Sequence, residues 1–345
     1  MFKSLIRETF ERMEQAIFPA FSRWGLLTRL YYGLLVPRYA REQAAVITGR
    51  RLHARGEATA KRAALRRGIH RLEKGLVMRP RARVFAEDYI LQTVQVFSDL
   101  AAQPHADQTE LRWAKDVLSE YFAAVGASAT IDRARAQFLS HRSQPDGTDG
   151  SAVPYPRSDG ERANVPFESF LALCKQRRSV RWFLDRTIEI EKIQSAISAA
   201  SLAPSACNRQ PYLFRYFDNR KEAAEIASIA MGTAGYVQQI PALIVVLGDF
   251  SSFEHERDRH LPYIDGSLAA MQLMLALETL GLASCAINWP DVEARERRIA
   301  SALALPVHIR PLMLIAVGYA DPAGGIPFSA KKASNNLLRT SNDYR

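Results

Sequence analysis

Arg177-Arg178-Ser179-Val180-Arg181, an amphipathic segment, and then Pro204-Ser205-Ala206-Cys207-Asn208-Arg209-Gln210-Pro211-Tyr212 form the stretch on which the rest of the chain turns. The first piece sets arginine forks beside a hydroxyl, and a planar guanidinium gives paired, charge-assisted donors to phosphate oxygens. The second piece offers backbone amides and carboxamides to an extended polar ring without bringing a full charge of its own apart from Arg209. A ligand with an anionic end and a flat hydrogen-bonding heterocycle engages both. Each piece has a plainer reading. Cations gather at helix C-termini, and Pro/Ser/Asn clusters make ordinary turns.

Working outward, Ile190, Ile193, Ile197 and Ala200 mark a helix that feeds the Pro204 turn, and Tyr212–Phe217 alternates as a strand. Residues 220–231 read as helix. Ala242–Gly248 is a continuous apolar run that suits a strand covered on both faces. Residues 262–282 make a nearly all-apolar helix, which must be buried almost all round, and a subunit interface is a natural place for it. Residues 284–288 and 312–317 complete the strands, with a helix at 291–304 between them. Upstream, Phe167, Phe170, Leu171 and Cys174 are expected to put one helix face into the core. Strands and helices mix without a βαβ repeat, so the fold class is α+β.

The basic pentapeptide with Trp182-Phe183, the 204–212 turn, and Asp265-Gly266 leading into the helix that ends at Gly281-Leu282 together resemble the flavin-dependent nitroreductase family, over roughly residues 166–335. The resemblance implies a mixed or antiparallel sheet flanked by helices, a homodimer, and two flavin mononucleotide (FMN) sites built from both subunits. Carried over by position, Arg177, Arg178, Ser179 and Arg181 hold the phosphate and ribityl end. Pro204, Ser205, Ala206 and Asn208 contact the flavin from the partner. Asn288 donates near its N5–O4 edge, where Trp289 narrows the pocket, and Lys331, with Ser329 or Lys332, adds a late basic contact. Lys331-Lys332 reads equally as a solvated tail. Ala234-Gly235-Tyr236 stands where many members carry Gly-Asn. The implied activity is ping-pong reduction of a small electrophilic acceptor (nitro, quinone or enone type) by NAD(P)H, with the chemistry at flavin N5 and no catalytic side chain.

The other 150 residues follow a different pattern. Among residues 1–83 stand nineteen Lys/Arg and six acids, a balance of +13 against +10 for the whole chain, so the remainder carries about −3. Residues 1–22 read as an amphipathic helix. The apolar run from Trp24 to Val36 is too short to span a bilayer; it packs as a helical hairpin or lies on a membrane surface. Residues 1–142 form a basic, mainly helical region with helices at 84–102 and 110–125, residues 143–166 a linker, and residues 167–345 the second domain. His70-Arg71-Leu72-Glu73-Lys74-Gly75 is a dense charged cluster that a helix C-terminus explains as well as any chemistry does.

Several classes drop out. There is no Gly-x-Gly-x-x-Gly after a strand, no phosphate-loop motif and no His-Glu-x-x-His. Cys174, Cys207 and Cys285 show no metal or disulfide spacing and favour a reducing, cytoplasmic compartment. The competing reading is a catalytically degenerate flavin-binding protein whose residues 1–40 dock on the inner membrane face or on a protein partner. Nucleic acid ranks last, since aromatic and basic residues are not interleaved.

Overall fold

A computed structural model describes residues 24–35, 39–140, 152–338 and 340. The helix expected over residues 1–22 and residues 143–151 of the expected linker lie outside these residues. The alternating Tyr212–Phe217 run forms β1, and the apolar run forms β2 (Ala242–Asp249), buried along its whole length. With β3 (Ala283–Asn288) and β4 (Ile309–Gly318) they build a four-stranded sheet in the order β1-β2-β4-β3. Every strand pair is antiparallel, so the sheet is not mixed. The one parallel contact among the described residues is an isolated bridge between Ser179 and Ser284.

A continuous apolar strand needs cover on both sides, and helices supply it. Leu243, Val245 and Leu247 pack with Leu314, Ala316 and Ile226 on one face. Ala242, Ile244 and Val246 pack on the other with Ile193, Leu273 and Leu277. Each such buried aliphatic side chain contributes roughly 1.5–3 kcal/mol. The second face belongs to α8 (Ile190–Ser201) and α10 (Leu261–Thr279); α9 (Arg220–Ala227) and α11 (Glu293–Ala302) cover the first.

One expectation fails here, that of a core-facing Phe167–Cys174 helix, and another is met only in part by a single copy. In a single copy α10 is not buried all round: Ile264, Leu268 and Met271 are 51%, 45% and 41% exposed along its outer side. Helix α7 (Phe167–Gln176) buries no residue at all, and Phe167, Phe170 and Leu171 face solvent rather than a core. Both helices turn apolar side chains outward, and Gln176 Nε2 of α7 donates to Glu278 of α10 (3.0 Å).

The N-terminal helices have their own core. Helices α3 (Ala58–Leu76), α4 (Ile90–Ala101), α5 (Gln108–Ala124) and α6 (Ala129–Ser140) enclose Leu65, Ile69, Val94, Leu118, Tyr121 and Ile131. The helix expected from residue 84 begins only at Ile90. Ala86 sits at φ 70°, and Tyr121 Oη donates to Phe85 O (2.7 Å), so residues 84–89 are held as a turn. At the N-terminus lie α1 (Gly25–Leu30) and the wide turn Tyr31–Leu35, where Tyr31 is buried among the described side chains; the residues that would complete the expected hairpin lie outside the described ones. No helix among the described residues is long and apolar enough to cross a membrane.

Helix α2 (Ala40–Arg55) seats this unit on the sheet. Ala45 and Val46 pack on Phe250, and His53 Nδ1 donates to Ser251 O (2.8 Å). Gly49 is required at the closest approach, because a Cβ there would fall 2.5 Å from the Phe250 carbonyl. Arg41 forks onto both oxygens of Glu293 at 2.9 Å.

Candidate functional site

Helix α7 ends at Gln176, and the chain then runs extended beside the edge of β3, with Val180 N donating to Ser284 O (3.1 Å). This leaves Arg177, Arg178, Ser179 and Arg181 half-buried around a cavity of about 460 Å³. Lys175 from the last turn of α7 and Lys331 from the far end of the chain complete its basic lining, together with Ser329. None of the lining residues carries a carboxylate. Arg177 Nε is buried and has no hydrogen-bond partner. A wall with five cations and an orphaned buried guanidinium nitrogen fits an anionic group, since a buried polar donor left unpaired costs free energy.

Two of the basic residues are held from behind. Arg178 Nη2 donates to the carbonyls of Pro327 and Phe328, tying the 327–331 segment down so that Lys331 lines the cavity. Arg181 lies 5.7 Å above the ring of Tyr236. Beneath them Cys285 is buried, and its thiol is pushed up by that burial against the opposing pull of Arg181.

The 204–211 turn is built differently. Cys207, Asn208 and Gln210 all have positive φ, at 52°, 54° and 50°. Of these, Asn adopts the left-handed region most readily, and such conformations cost on the order of 1–3 kcal/mol each unless the surroundings impose them. The surroundings are visible. Ala206 N donates to Asp265 Oδ2 (2.9 Å), Gln210 N to Ser205 Oγ (3.2 Å), and Gln210 Nε2 to Asn208 Oδ1 (3.0 Å). Asp265 is 3% exposed. Burial pushes its carboxyl above the usual range, and the Ala206 amide and Arg209 pull it partly back. The next residue, Gly266, lets α10 approach closely, since a Cβ there would sit 2.4 Å from Leu312. The outer side of the turn is met by α3, whose Arg66 Nε donates to Arg209 O (3.1 Å).

The basic cavity and the turn do not meet within one chain. Ser179 bridges Ser284 on edge strand β3, while the turn feeds Tyr212 on the opposite edge strand β1. The registers place them at opposite ends as well, because Ser284 pairs with Val317 and Val317 with Ala242, whereas Tyr212 pairs with Gly248. Strand spacing and rise put these corners on the order of 20 Å apart. Asn288 is exposed on β3, nearer the turn end, and outside the basic cavity. Trp289 turns inward instead of narrowing a pocket: it is buried, and its Nε1 donates to Glu296 (2.6 Å).

Lys175 and the part played by Asp265 escape a reading of the sequence. Lys175 falls inside a helix, and Asp265 reaches its partner across 59 residues; an acid just before a glycine in an otherwise apolar helix is the one available signal. Replacing Asp265 with Ala, which strands the Ala206 amide, should cost about 1–3 kcal/mol. Asp265→Asn keeps an acceptor there without the charge. Because the folded carboxyl is raised, its neutral form favours folding and its ionisation opposes it. Urea unfolding should therefore show the Asn variant gaining on the wild type as pH rises through the carboxylate range, with the gap level above it. An Asn variant that instead loses ground to the wild type as pH rises would contradict the assignment.

The family model described as "Nitroreductase family" matches residues 174–239 and 229–319. A "Putative NADH dehydrogenase/NAD(P)H nitroreductase" of Archaeoglobus fulgidus is 31% identical over 152 residues, 44% of this chain and 86% of the relative. One of the same description from Methanothermobacter thermautotrophicus is 30% identical over 149 residues, 43% of this chain and 76% of that one. An "FMN reductase (NADPH)" of Bacillus subtilis is 25% identical, covering 49% and 74%. With the antiparallel sheet, the basic cavity at one corner and the strained turn at the other, these matches place the chain in the nitroreductase family.

Proposed function

We propose that the chain is an FMN-dependent oxidoreductase that uses NAD(P)H to reduce a small electrophilic acceptor of nitro, quinone or enone type in ping-pong fashion. The observation that carries this reading is the 460 Å³ cavity with five cations, no carboxylate and an unpartnered Arg177 Nε. Relatives named for NAD(P)H nitroreductase and FMN reductase activity support it. When bound, the flavin supplies two-electron exchange between the nicotinamide and the acceptor. Arg177, Ser179, Arg181 and Lys331 hold its phosphate and ribityl end. Arg178 acts through the 327–328 backbone that it anchors. Pro204, Ser205, Ala206 and Asn208 of a second copy meet the ring, and Asn288 offers a carboxamide from the β3 rim.

The same geometry supports a dimer. One chain keeps its two half-sites at opposite corners, and the outward apolar faces of α7 and α10 give a second copy a surface to cover. Met271→Glu should leave the single chain folded, since that side chain is already 41% exposed, yet sedimentation should find monomers that retain no flavin. A dimeric, yellow variant would move the interface elsewhere.

Purified protein should be yellow and bleach anaerobically with NADH or NADPH. Losing two charge-assisted contacts, each worth about 1.5–3 kcal/mol, Arg177→Ala/Lys331→Ala should weaken FMN binding at least ~100-fold in an equilibrium titration. Wild-type protein that stays colourless and takes up no added FMN sinks the reading.

Exposed Trp24, Leu26, Leu30 and Leu34, within a region of +13 net charge, support a second role, docking on an anionic lipid surface at the cytoplasmic side of a membrane. The protein should float with anionic liposomes at low salt and less at high salt; no flotation at low salt removes this role.

A further inference from the structure

The charged cluster around His70 lies on the last turns of α3. Leu65, Ile69 and Leu72 turn into the helical core. Another side of the same helix carries buried Ala63 and then Arg66, which bonds the 204–211 turn at Arg209 O. Residues one helical turn apart share a face, so His70 follows Arg66 on that side, with exposed Lys74 after it. This side of α3 lies between the turn, which Arg66 meets, and α5, whose Glu110 accepts from Arg66 Nη1 (2.6 Å).

One turn beyond Arg66 this side carries a chain of polar groups. Trp113 Nε1 of α5 donates to Glu73 Oε1 (2.9 Å). The other oxygen of Glu73 lies 3.4 Å from His70 Nδ1. The carboxylate thus stands within ion-pair reach of Nδ1, and the half-exposed ring keeps its other nitrogen, Nε2, for a further partner. A half-exposed imidazole–carboxylate pair adds little to stability, and an indole donor fixing the carboxylate gives it a set orientation. An imidazole poised in this way is suited to proton transfer.

We infer that His70 donates the proton to the acceptor during its reduction, that Glu73 and Trp113 position the ring, and that α3 walls the acceptor side of the pocket to which the turn belongs. This rests on the reading of the turn as the seat of the flavin head. The balance is simple. The acceptor gains a hydride that originates in NAD(P)H, and a proton. The Nε2–H bond of the His70 imidazolium breaks, its electron pair stays on nitrogen, a new O–H or N–H bond forms on the acceptor, and water reprotonates the ring. The net change is NAD(P)H, a proton and the acceptor going to NAD(P)⁺ and the reduced acceptor.

His70→Gln separates this role from a structural one. In stopped-flow reoxidation of the reduced holoenzyme, p-benzoquinone, which must take up protons, should react on the order of 100-fold more slowly than with wild type. Ferricyanide takes single electrons without a proton, so its rate and the flavin content should be unchanged. Glu73→Gln should slow the quinone step alone, by a smaller factor. In wild-type protein, diethylpyrocarbonate labelling of His70, read by peptide mass, should be several-fold slower with FMN bound than without it. A quinone rate within twofold of wild type, a parallel fall with ferricyanide, or equal labelling with and without FMN overturns the inference. Wild-type protein that takes up no flavin removes the underlying reading and this inference together, before any variant is made.

Discussion

A four-stranded antiparallel sheet whose edge strands are β1 and β3 cannot bring its two edges together, and the rest of the molecule answers to that constraint. The cationic cavity belongs to the β3 edge and the strained turn to the β1 edge. A ligand with an anionic tail and a planar head is therefore gripped by both only where two copies face each other. The apolar outer sides of α7 and α10, unneeded for the core of one chain, are in keeping with that demand.

The turn shows how local strain is held by distant groups. Three residues in the left-handed region would relax in an isolated peptide. They persist because a buried carboxylate on α10 captures the Ala206 amide, Ser205 closes the loop from inside, and Arg66 grips its outer carbonyl. The helical unit thus contributes to the shape of the turn as well as covering it.

Much of this is legible in the residues. Period-two alternation gives β1, and the unbroken apolar run gives a two-sided central strand in β2. The basic pentapeptide marks where the cationic cavity lies, and the Pro204–Pro211 run marks the turn. What escapes is what periodicity cannot carry. Phe167, Phe170 and Leu171 have the same spacing whether they face a core or a partner. Ala86 breaks the start of α4 with a conformation that its side chain does not advertise. Trp289 looks like a pocket residue until Glu296, seven positions on, is seen to hold it inside.

The contact at Gly49 bears on how reactants come and go. Backbone lies against backbone there, with no room for even a methyl group, and the Arg41–Glu293 fork anchors the same helix a few turns away. Swinging the helical unit outward would break both fastenings at once. Under the dimer proposed above, reactants enter between the two copies, and the accessory helices act as fixed masonry instead of a moving door.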